Sequence, residues 1–266
     1  MMRLFILLIL AVHTDCATQE QNNRAKSQEE VVMTDYPNSI DDEFVGCQEE
    51  MYKQVTMKLL KNELNSNENF SADWKKAKRH FLKKTKPDSK LSKEELRKIA
   101  IRAYTGDAIH PELNAKMREG RKTYKTGFGL ISLHFLITDG IQTRNAEQRR
   151  QHKCWTTYRR TNITIEITGP SVRFGSFASS SLFPDKKRFG NETCFIITTC
   201  YGADISVISM HDSEAEVLIP PYEQFKSKRV TAKPPKLSDC NHIYKLRSVD
   251  KISIMNCDYV NKVNMG

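Results

Sequence analysis

The sequence of 266 residues has no long apolar run after its first residues, no internal repeat and no low-complexity stretch. Without a second apolar run we expect no transmembrane helix, and in the polar residues 256–266 no glycolipid-anchor tail. The seven cysteines include no CxxC pair of the kind that binds zinc or carries out redox chemistry, so we expect no metal. A recognisable nucleic-acid-binding motif is also lacking. These absences argue against membrane-spanning, metal-dependent and nucleic-acid-binding proteins.

The one apolar run lies at the N-terminus. A short basic segment, 1–3, precedes apolar residues 4–12, and small or polar residues follow through Ala17. This pattern is typical of a secretory signal peptide cut near Cys16 or Ala17, and the run is too short to span a bilayer. We therefore expect a signal peptide at 1–17 and a soluble chain secreted to the extracellular space.

The formal net charge of +10 comes from basic residues spread along the chain. Such a distribution is typical of a solvated surface, with attraction to acidic cell-surface partners as an alternative. The hydrophobic content of 39% is sufficient for a folded core.

After the expected cleavage six cysteines remain, an even number that indicates disulfides in a secreted chain and leaves their pairing open. They are Cys47, Cys154, Cys194, Cys200, Cys240 and Cys257. Sequons beginning at Asn69, Asn162 and Asn191 are compatible with a secreted glycoprotein, and their occupancy is a hypothesis.

Hydrophobic periodicity divides the chain in two. From about 41 to 141 apolar residues recur every third or fourth position, and from about 154 to 258 the period is two. Helices are predicted at 43–60, 71–82, 92–104, 113–121 and 130–141, the second after Ser71 as N-cap and the third opened by a Ser92–Glu95 capping box. Strands are predicted at 156–159, 163–167, 171–178, 193–199, 203–208, 216–219 and 252–257. Helices followed by strands predict an α+β fold.

Two acids, Glu214 and Glu216, stand where a loop of polar residues enters the apolar run 217–219, which two prolines end. At an extended i, i+2 spacing both carboxylates face one side while Ala215 points away. Two acids on one face repel, so they favour a cationic ligand, and the alternative is a solvated strand start.

Two further groups of polar residues end predicted strands. Arg159 and Arg160 are adjacent, so one guanidinium should face inward and require an anion. Ser179, Ser180 and Ser181 provide hydroxyls that suit an acidic side chain or a polar ligand. Taken singly, such an arginine is more often a surface charge and such a serine run more often a turn.

In the order Arg159, Ser179 to Ser181, Glu214-Ala215-Glu216, these residues resemble the R-S-ExE signature of the vertebrate ecto-ADP-ribosyltransferases, which are arginine-specific mono-ADP-ribosyltransferases. The resemblance covers nearly the whole mature chain. It includes residues 38–47, 103–105, 133–138, 154–159, 189–193, 200–203 and 216–223. It implies a single domain at 38–266, after an N-terminal extension at 18–37, in which a helical part precedes a mainly antiparallel β-sandwich.

The resemblance also implies transfer of ADP-ribose from NAD, the co-substrate, to an arginine side chain, with release of nicotinamide. Glu216 matches the catalytic acid that holds the ribose hydroxyl, and Glu214 the acid that selects and helps deprotonate the acceptor. Ser179, with Ser181 as a competitor, matches the serine that orients the catalytic acid. Arg159 matches the arginine that pairs with the NAD phosphates. Phe189 matches a loop residue over nicotinamide, and a core phenylalanine is the alternative.

One departure from the family is Arg160, where a glycine is usual; its side chain either crowds the NAD phosphates or adds a contact to them. The family's disulfides map to Cys47–Cys257 and Cys154–Cys200, which leaves Cys194 and Cys240 as a third bridge or as free thiols.

Three functions stay open at this point: a secreted arginine-specific transferase, an NAD glycohydrolase with water as acceptor, and a catalytically weak binding protein. The presence of a glutamate at position 214, which matches the acid that selects the acceptor, favours the transferase. Its expected partners are NAD and arginine-bearing proteins outside the cell, with residues 210–213 helping to choose the acceptor. We expect a monomer.

Overall fold

The computed structural model describes residues 30–82 and 90–260. The expected signal peptide, Cys16 and most of the expected N-terminal extension lie outside these residues. Within them no helix is both long enough and apolar enough to cross a membrane.

Helices occupy the first half of the described chain. They are α1 (Gln48–Gln54), continued by a π-helical turn (Val55–Leu59) into α2 (Leu60–Ser66), α3 (Glu68–Phe81), α4 (Lys93–Tyr104), α5 (Ile109–Glu119) and α6 (Ile131–Gln148). The Ser92–Glu95 capping box of α4 is confirmed. The prediction of Ser71 as a cap is wrong: α3 begins earlier, where the Asn67 side chain accepts a hydrogen bond from the Phe70 amide at 2.8 Å.

Helix α6 is buried along most of its length and lies at the centre of the helical core. Its N-cap, Leu130, has an apolar side chain that cannot accept hydrogen bonds. The carboxylate of Glu63, from α2, accepts bonds from the amide of Ser132 at 3.1 Å instead. Burial raises the pKa of Glu63 to about 6, although the bonds from Ser132 oppose that rise.

Strands occupy the second half. They are β1 (Glu30–Met33), β2 (Trp155–Thr161), β3 (Thr164–Ile167), β4 (Ser171–Val172), β5 (Ala178–Ser181), β6 (Thr193–Thr199), β7 (Ala203–Asp204), β8 (Glu216–Ile219), β9 (Glu223–Arg229) and β10 (His242–Lys251). Among the described residues, one sheet has the order β4-β9-β10-β6-β2-β5-β8-β7, and β1 pairs with β3. The larger sheet is antiparallel except between β10 and β6. The predicted α+β class with a mainly antiparallel β part is confirmed.

Several predicted strands differ from those observed. Residues 171–178 do not form one strand, because the strand ends at Val172. The next residue, the buried Arg173, pairs with Asp41 and donates hydrogen bonds to three backbone carbonyls. Strand β7 ends at Asp204, and residues 252–257 form no strand. Strands β9 and β10 were missed since their exposed faces carry alternating charged residues that obscure the apolar period.

Disulfides join distant parts of the fold. Cys47–Cys257 and Cys154–Cys200 are both present, which confirms the implied pairing. Cys194 and Cys240 form a third bridge, so the alternative of free thiols is wrong.

Candidate active site

A cavity of about 340 Å³ lies between helices α4 and α5 and strands β2, β5 and β8. The structure brings all the predicted site residues together around it: Arg159, Ser179, Phe189, Glu214 and Glu216. The cavity is within the size range of small-molecule sites.

Glu216 is the first residue of β8 and is only 3% exposed. The Ser209 hydroxyl donates a hydrogen bond of 2.7 Å to its carboxylate. Burial raises the pKa of Glu216, hydrogen bonds from Ser179 and Ser209 oppose the rise, and the charge of Glu214 adds to it. The carboxylate is therefore held in a fixed position with little water around it.

Ser209 is a site residue that the sequence analysis missed. It is fully buried, and Arg102 of α4 donates to the backbone carbonyls of Ile208 and Ser209 at 3.0 and 2.5 Å. Thr105 accepts a bond from the Met210 amide at 2.9 Å. These contacts with a helix about a hundred residues away in sequence fix the loop that contains Ser209. Because the partners are so distant in sequence, no local pattern predicts the role of Ser209.

Glu214 ends a 3-10 turn, Asp212–Glu214, and Ala215 adopts a left-handed conformation with φ 47° and ψ 57°. The prediction of an extended segment from Glu214 to Glu216 is therefore wrong, because the backbone turns sharply between the two acids. Both carboxylates nevertheless reach the same cavity.

The three serines of β5 have separate partners. Ser179 lies close enough to Glu216 to lower the pKa of that carboxyl, whereas the Ser180 hydroxyl donates to the Val217 carbonyl at 3.0 Å. The Ser181 hydroxyl donates to the carbonyl of Glu214 at 2.6 Å. Ser181 therefore supports the backbone of the acid pair, and Ser179 contacts the catalytic candidate itself.

Arg159 is half-buried, and its Nη1 donates to the carbonyl of Ser179 at 2.7 Å. Burial lowers the pKa of Arg159 and the nearby Arg118 lowers it further, whereas Tyr104 and Glu216 raise it. The hydroxyl of Tyr104 donates to the carbonyl of Phe177 at 3.2 Å, and burial raises the pKa of Tyr104 to about 12. Tyr104 and Arg118 also line the cavity and were missed, since both come from the helical half.

Arg160 neither extends into open space nor offers a free guanidinium. Its side chain is 1% exposed and pairs through both terminal nitrogens with Asp239, at 3.0 and 3.2 Å. It also donates to the carbonyls of Pro184, Lys236 and Gly190, at 2.8, 3.1 and 3.4 Å. The guanidinium thus binds both ends of the segment 184–190.

The segment 184–190 forms one wall of the cavity. Phe189 ends a 3-10 turn there and is 43% exposed, so a core position for this ring is wrong. Gly190 has φ 116°, and a Cβ atom on it would lie 2.2 Å from the side chain of Asn162, so a glycine is needed. Lys186 Nζ donates to the carbonyl of Ser213 at 2.6 Å, and Arg188 forms an ion pair with Glu214.

Over the residues that the structure describes, no group of three or more histidine, cysteine, aspartate or glutamate side chains is placed to hold a metal ion. The three sequon asparagines are exposed.

Comparison with known proteins identifies relatives over most of the chain. Residues 33–253 match the model of the family NAD:arginine ADP-ribosyltransferase. The chain is 34% identical over 238 residues to NAD(P)(+)--arginine ADP-ribosyltransferase 2 of Gallus gallus, covering 86% of this chain and 73% of that protein. It is 32% identical over 262 residues to the erythroblast NAD(P)(+)--arginine ADP-ribosyltransferase of the same species, covering 96% and 84%.

A solved structure is also similar. The eukaryotic mono-ADP-ribosyltransferase ART2.2 superposes with a TM-score of 0.69 at 29% identity, over 86% of this chain and 99% of that chain. A mutant of ART2.2 solved in complex with NAD gives 0.71 with the same identity and coverage.

Proposed function

This chain belongs to the NAD:arginine ADP-ribosyltransferase family, and we propose that it transfers ADP-ribose from NAD to arginine side chains of proteins and releases nicotinamide. The observation that carries the proposal is the buried Glu216, whose carboxylate accepts a hydrogen bond from Ser209, beside a second carboxylate, Glu214, in one cavity. The names of the Gallus gallus relatives also include NADP as a donor.

Glu216 is proposed as the catalytic acid. Breaking the bond between ribose and nicotinamide develops positive charge on the sugar, as in glycoside cleavage, and a fixed carboxylate stabilises that charge. Because the Ser209 hydroxyl holds the buried carboxylate of Glu216 in place, little reorganisation is needed during the reaction. The same carboxylate is proposed to accept a hydrogen bond from the ribose 2′-hydroxyl.

Glu214 is proposed to bind and help deprotonate the acceptor guanidinium. It lies at the rim of the cavity with a 15% exposed side chain, where an acceptor arriving from solvent would meet it. As the new C–N bond forms at the ribose, the guanidinium loses a proton, and a carboxylate can receive it. An arginine partner also suits a carboxylate geometrically, since the two groups form paired hydrogen bonds.

Arg159 is proposed to bind a phosphate of NAD, and Phe189 is proposed to bind the nicotinamide ring. The guanidinium of Arg159 uses one nitrogen on the Ser179 carbonyl and has others for a phosphate. Phe189 presents an exposed ring at the cavity wall, which suits stacking on nicotinamide. Residues 210–213 lead into Glu214 and are proposed to contact the acceptor protein.

The glycohydrolase alternative uses Glu216, Ser179 and Arg159 with water as acceptor. The presence of Glu214 favours transfer over hydrolysis. The third alternative, a catalytically weak binding protein, required that Arg160 interfere with NAD binding. The guanidinium of Arg160 is instead bound to Asp239 and three carbonyls, which argues against this alternative.

Incubation with labelled NAD and agmatine, a simple guanidine acceptor, tests the proposal. We expect ADP-ribosyl-agmatine as the main product. Free ADP-ribose alone would instead indicate a glycohydrolase, and neither product would indicate a binding protein.

An extracellular location fits the three disulfides and the names of relatives such as the T-cell ecto-ADP-ribosyltransferases. We propose further that the chain is secreted rather than anchored. We also propose that it is a monomer, since all cysteines of the described residues pair within the chain and none of them links two copies. Protein recovered only from membranes, and released by lipase, would contradict secretion. Light scattering on the purified chain measures the oligomeric state.

A further inference from the structure

Arg188 is an arginine of this chain that already contacts Glu214. Its Nη2 pairs with Oε1 of the carboxylate. The Arg188 side chain is 56% exposed, while that of Glu214 is 15% exposed, so the guanidinium covers the carboxylate from the solvent side. Lys186, two residues earlier, donates to the carbonyl of Ser213 next to Glu214. The middle of the segment 184–190 is thus fastened to the turn that carries the acid.

The group that contacts Glu214 is chemically the same as the proposed acceptor. An acceptor arginine brings a guanidinium, and its paired hydrogen bonds require both carboxylate oxygens, one of which, Oε1, Arg188 already contacts. Since Glu214 has little other exposed surface, two guanidiniums have little room to bind it at once.

We propose that Arg188 is an intramolecular competitor for the acceptor position, and so a residue that sets how far the enzyme uses a guanidine acceptor rather than water. This inference rests on the proposed function of Glu214. Acceptors bind only to molecules in which Arg188 has left the carboxylate. The measured affinity for an acceptor is therefore the intrinsic affinity multiplied by the fraction of such molecules. Water is not bound by Glu214 in this scheme, so NAD hydrolysis is not subject to the competition.

The surroundings of Arg188 allow it to leave. Arg160 fixes the two ends of the segment through the carbonyls of Pro184 and Gly190. The Arg188 side chain itself is largely in solvent, and its guanidinium lies 4.8 Å from the centroid of the Phe189 ring. An ion pair with one exposed partner is weak, and its loss should change acceptor affinity roughly twofold to fivefold. A competitor of this strength lowers the affinity for every guanidine acceptor by the same factor, so it shifts the balance from transfer towards hydrolysis without blocking transfer.

Steady-state kinetics on the full mature chain test the inference. In Arg188→Ala we expect the KM for agmatine to fall about twofold to fivefold, with kcat and the KM for NAD nearly unchanged. At subsaturating agmatine, the ratio of ADP-ribosyl-agmatine to free ADP-ribose should rise. The matched control is Lys187→Ala, which removes one positive charge from the same exposed turn and should leave the KM for agmatine as in the wild type.

A second measurement separates failure of this inference from failure of the proposed function. Agmatine is titrated by NMR into the wild type and into Arg188→Ala without NAD, so that no turnover is required. Tighter binding by Arg188→Ala than by the wild type or Lys187→Ala supports competition even if no transfer is detected. Equal or weaker binding, or an unchanged or raised KM for agmatine, overturns it. A wild type that leaves agmatine unlabelled contradicts the proposed function alone.

Discussion

Replacing Arg160 with methionine tests whether this arginine acts on the NAD site indirectly, by fixing the cavity wall. Methionine fills part of the same space but removes the guanidinium that binds Asp239 and the carbonyls at both ends of the segment 184–190. Its loss should weaken both the fold and the position of Phe189.

The expected loss of stability follows from the burial of the Arg160 side chain, which is 1% exposed. Removing one partner of a buried ion pair costs about 3–5 kcal/mol, because the other partner is left without compensation. Asp239 is 29% exposed, so water can solvate it in part and the lower end, about 3 kcal/mol, applies. At roughly 2–4 °C per kcal/mol for a domain of this size, the Tm should fall by roughly 6–12 °C.

Calorimetry and NAD kinetics on the same samples provide the assay. In Arg160→Met we expect the lower Tm together with a higher KM for NAD, because the wall segment loses its attachment. Asp239→Asn should change both values in the same direction but less, since asparagine retains one acceptor, and the effects of the double variant should be less than additive. Lys53→Met, which removes an exposed pair with Glu50, is the control and should leave the Tm nearly unchanged.

Two results would refute this reasoning. A lower KM for NAD at an unchanged Tm would mean that Arg160 crowds the phosphates. A higher KM at an unchanged Tm would mean that Arg160 contacts NAD directly.

The other predictions concern individual carboxylates. Glu216→Gln should reduce turnover on the order of 10²–10³-fold with little change in Tm, measured as nicotinamide release, because the developing charge loses its anion. Ser209→Ala removes a bond that lowers the pKa of Glu216, so the acidic limb of the pH profile of kcat should move to higher pH. Glu63 has a folded pKa raised from 4.5 to about 6, so its contribution to stability is present below 4.5 and is lost as pH rises through 6. The free energy of unfolding of the wild type relative to Glu63→Gln should therefore fall by about 2 kcal/mol between pH 4 and pH 7 in denaturation curves; no fall would contradict the account of Glu63.

The parts of the site that were predictable are those set by local sequence. Strand β8 combines an apolar run with two following prolines, and its observed bounds match the prediction. The capping box of α4 is likewise a local pattern. Ala215 shows where local reasoning fails: its left-handed backbone is unusual for alanine, and residue type alone predicts an extended spacing between the acids.

Other features depend on contacts between distant segments. Ser209 is held by Arg102, and Arg160 finds Asp239 at 79 residues' separation, so neither role is visible in a local pattern. The resemblance to a known family predicted which residues meet at the cavity. It did not predict the structural role of Arg160, because the family usually has a glycine at this position and a glycine has no side chain whose contacts could be carried over.

The most direct test of the proposed division of labour is the ratio of ADP-ribosyl-agmatine to free ADP-ribose formed by the wild type, Glu214→Gln and Glu216→Gln. We predict that Glu214→Gln loses the agmatine product but retains formation of ADP-ribose, whereas Glu216→Gln loses both. Labelling of agmatine by Glu214→Gln at the wild-type rate would contradict the role of Glu214, and normal turnover by Glu216→Gln would contradict the proposed mechanism.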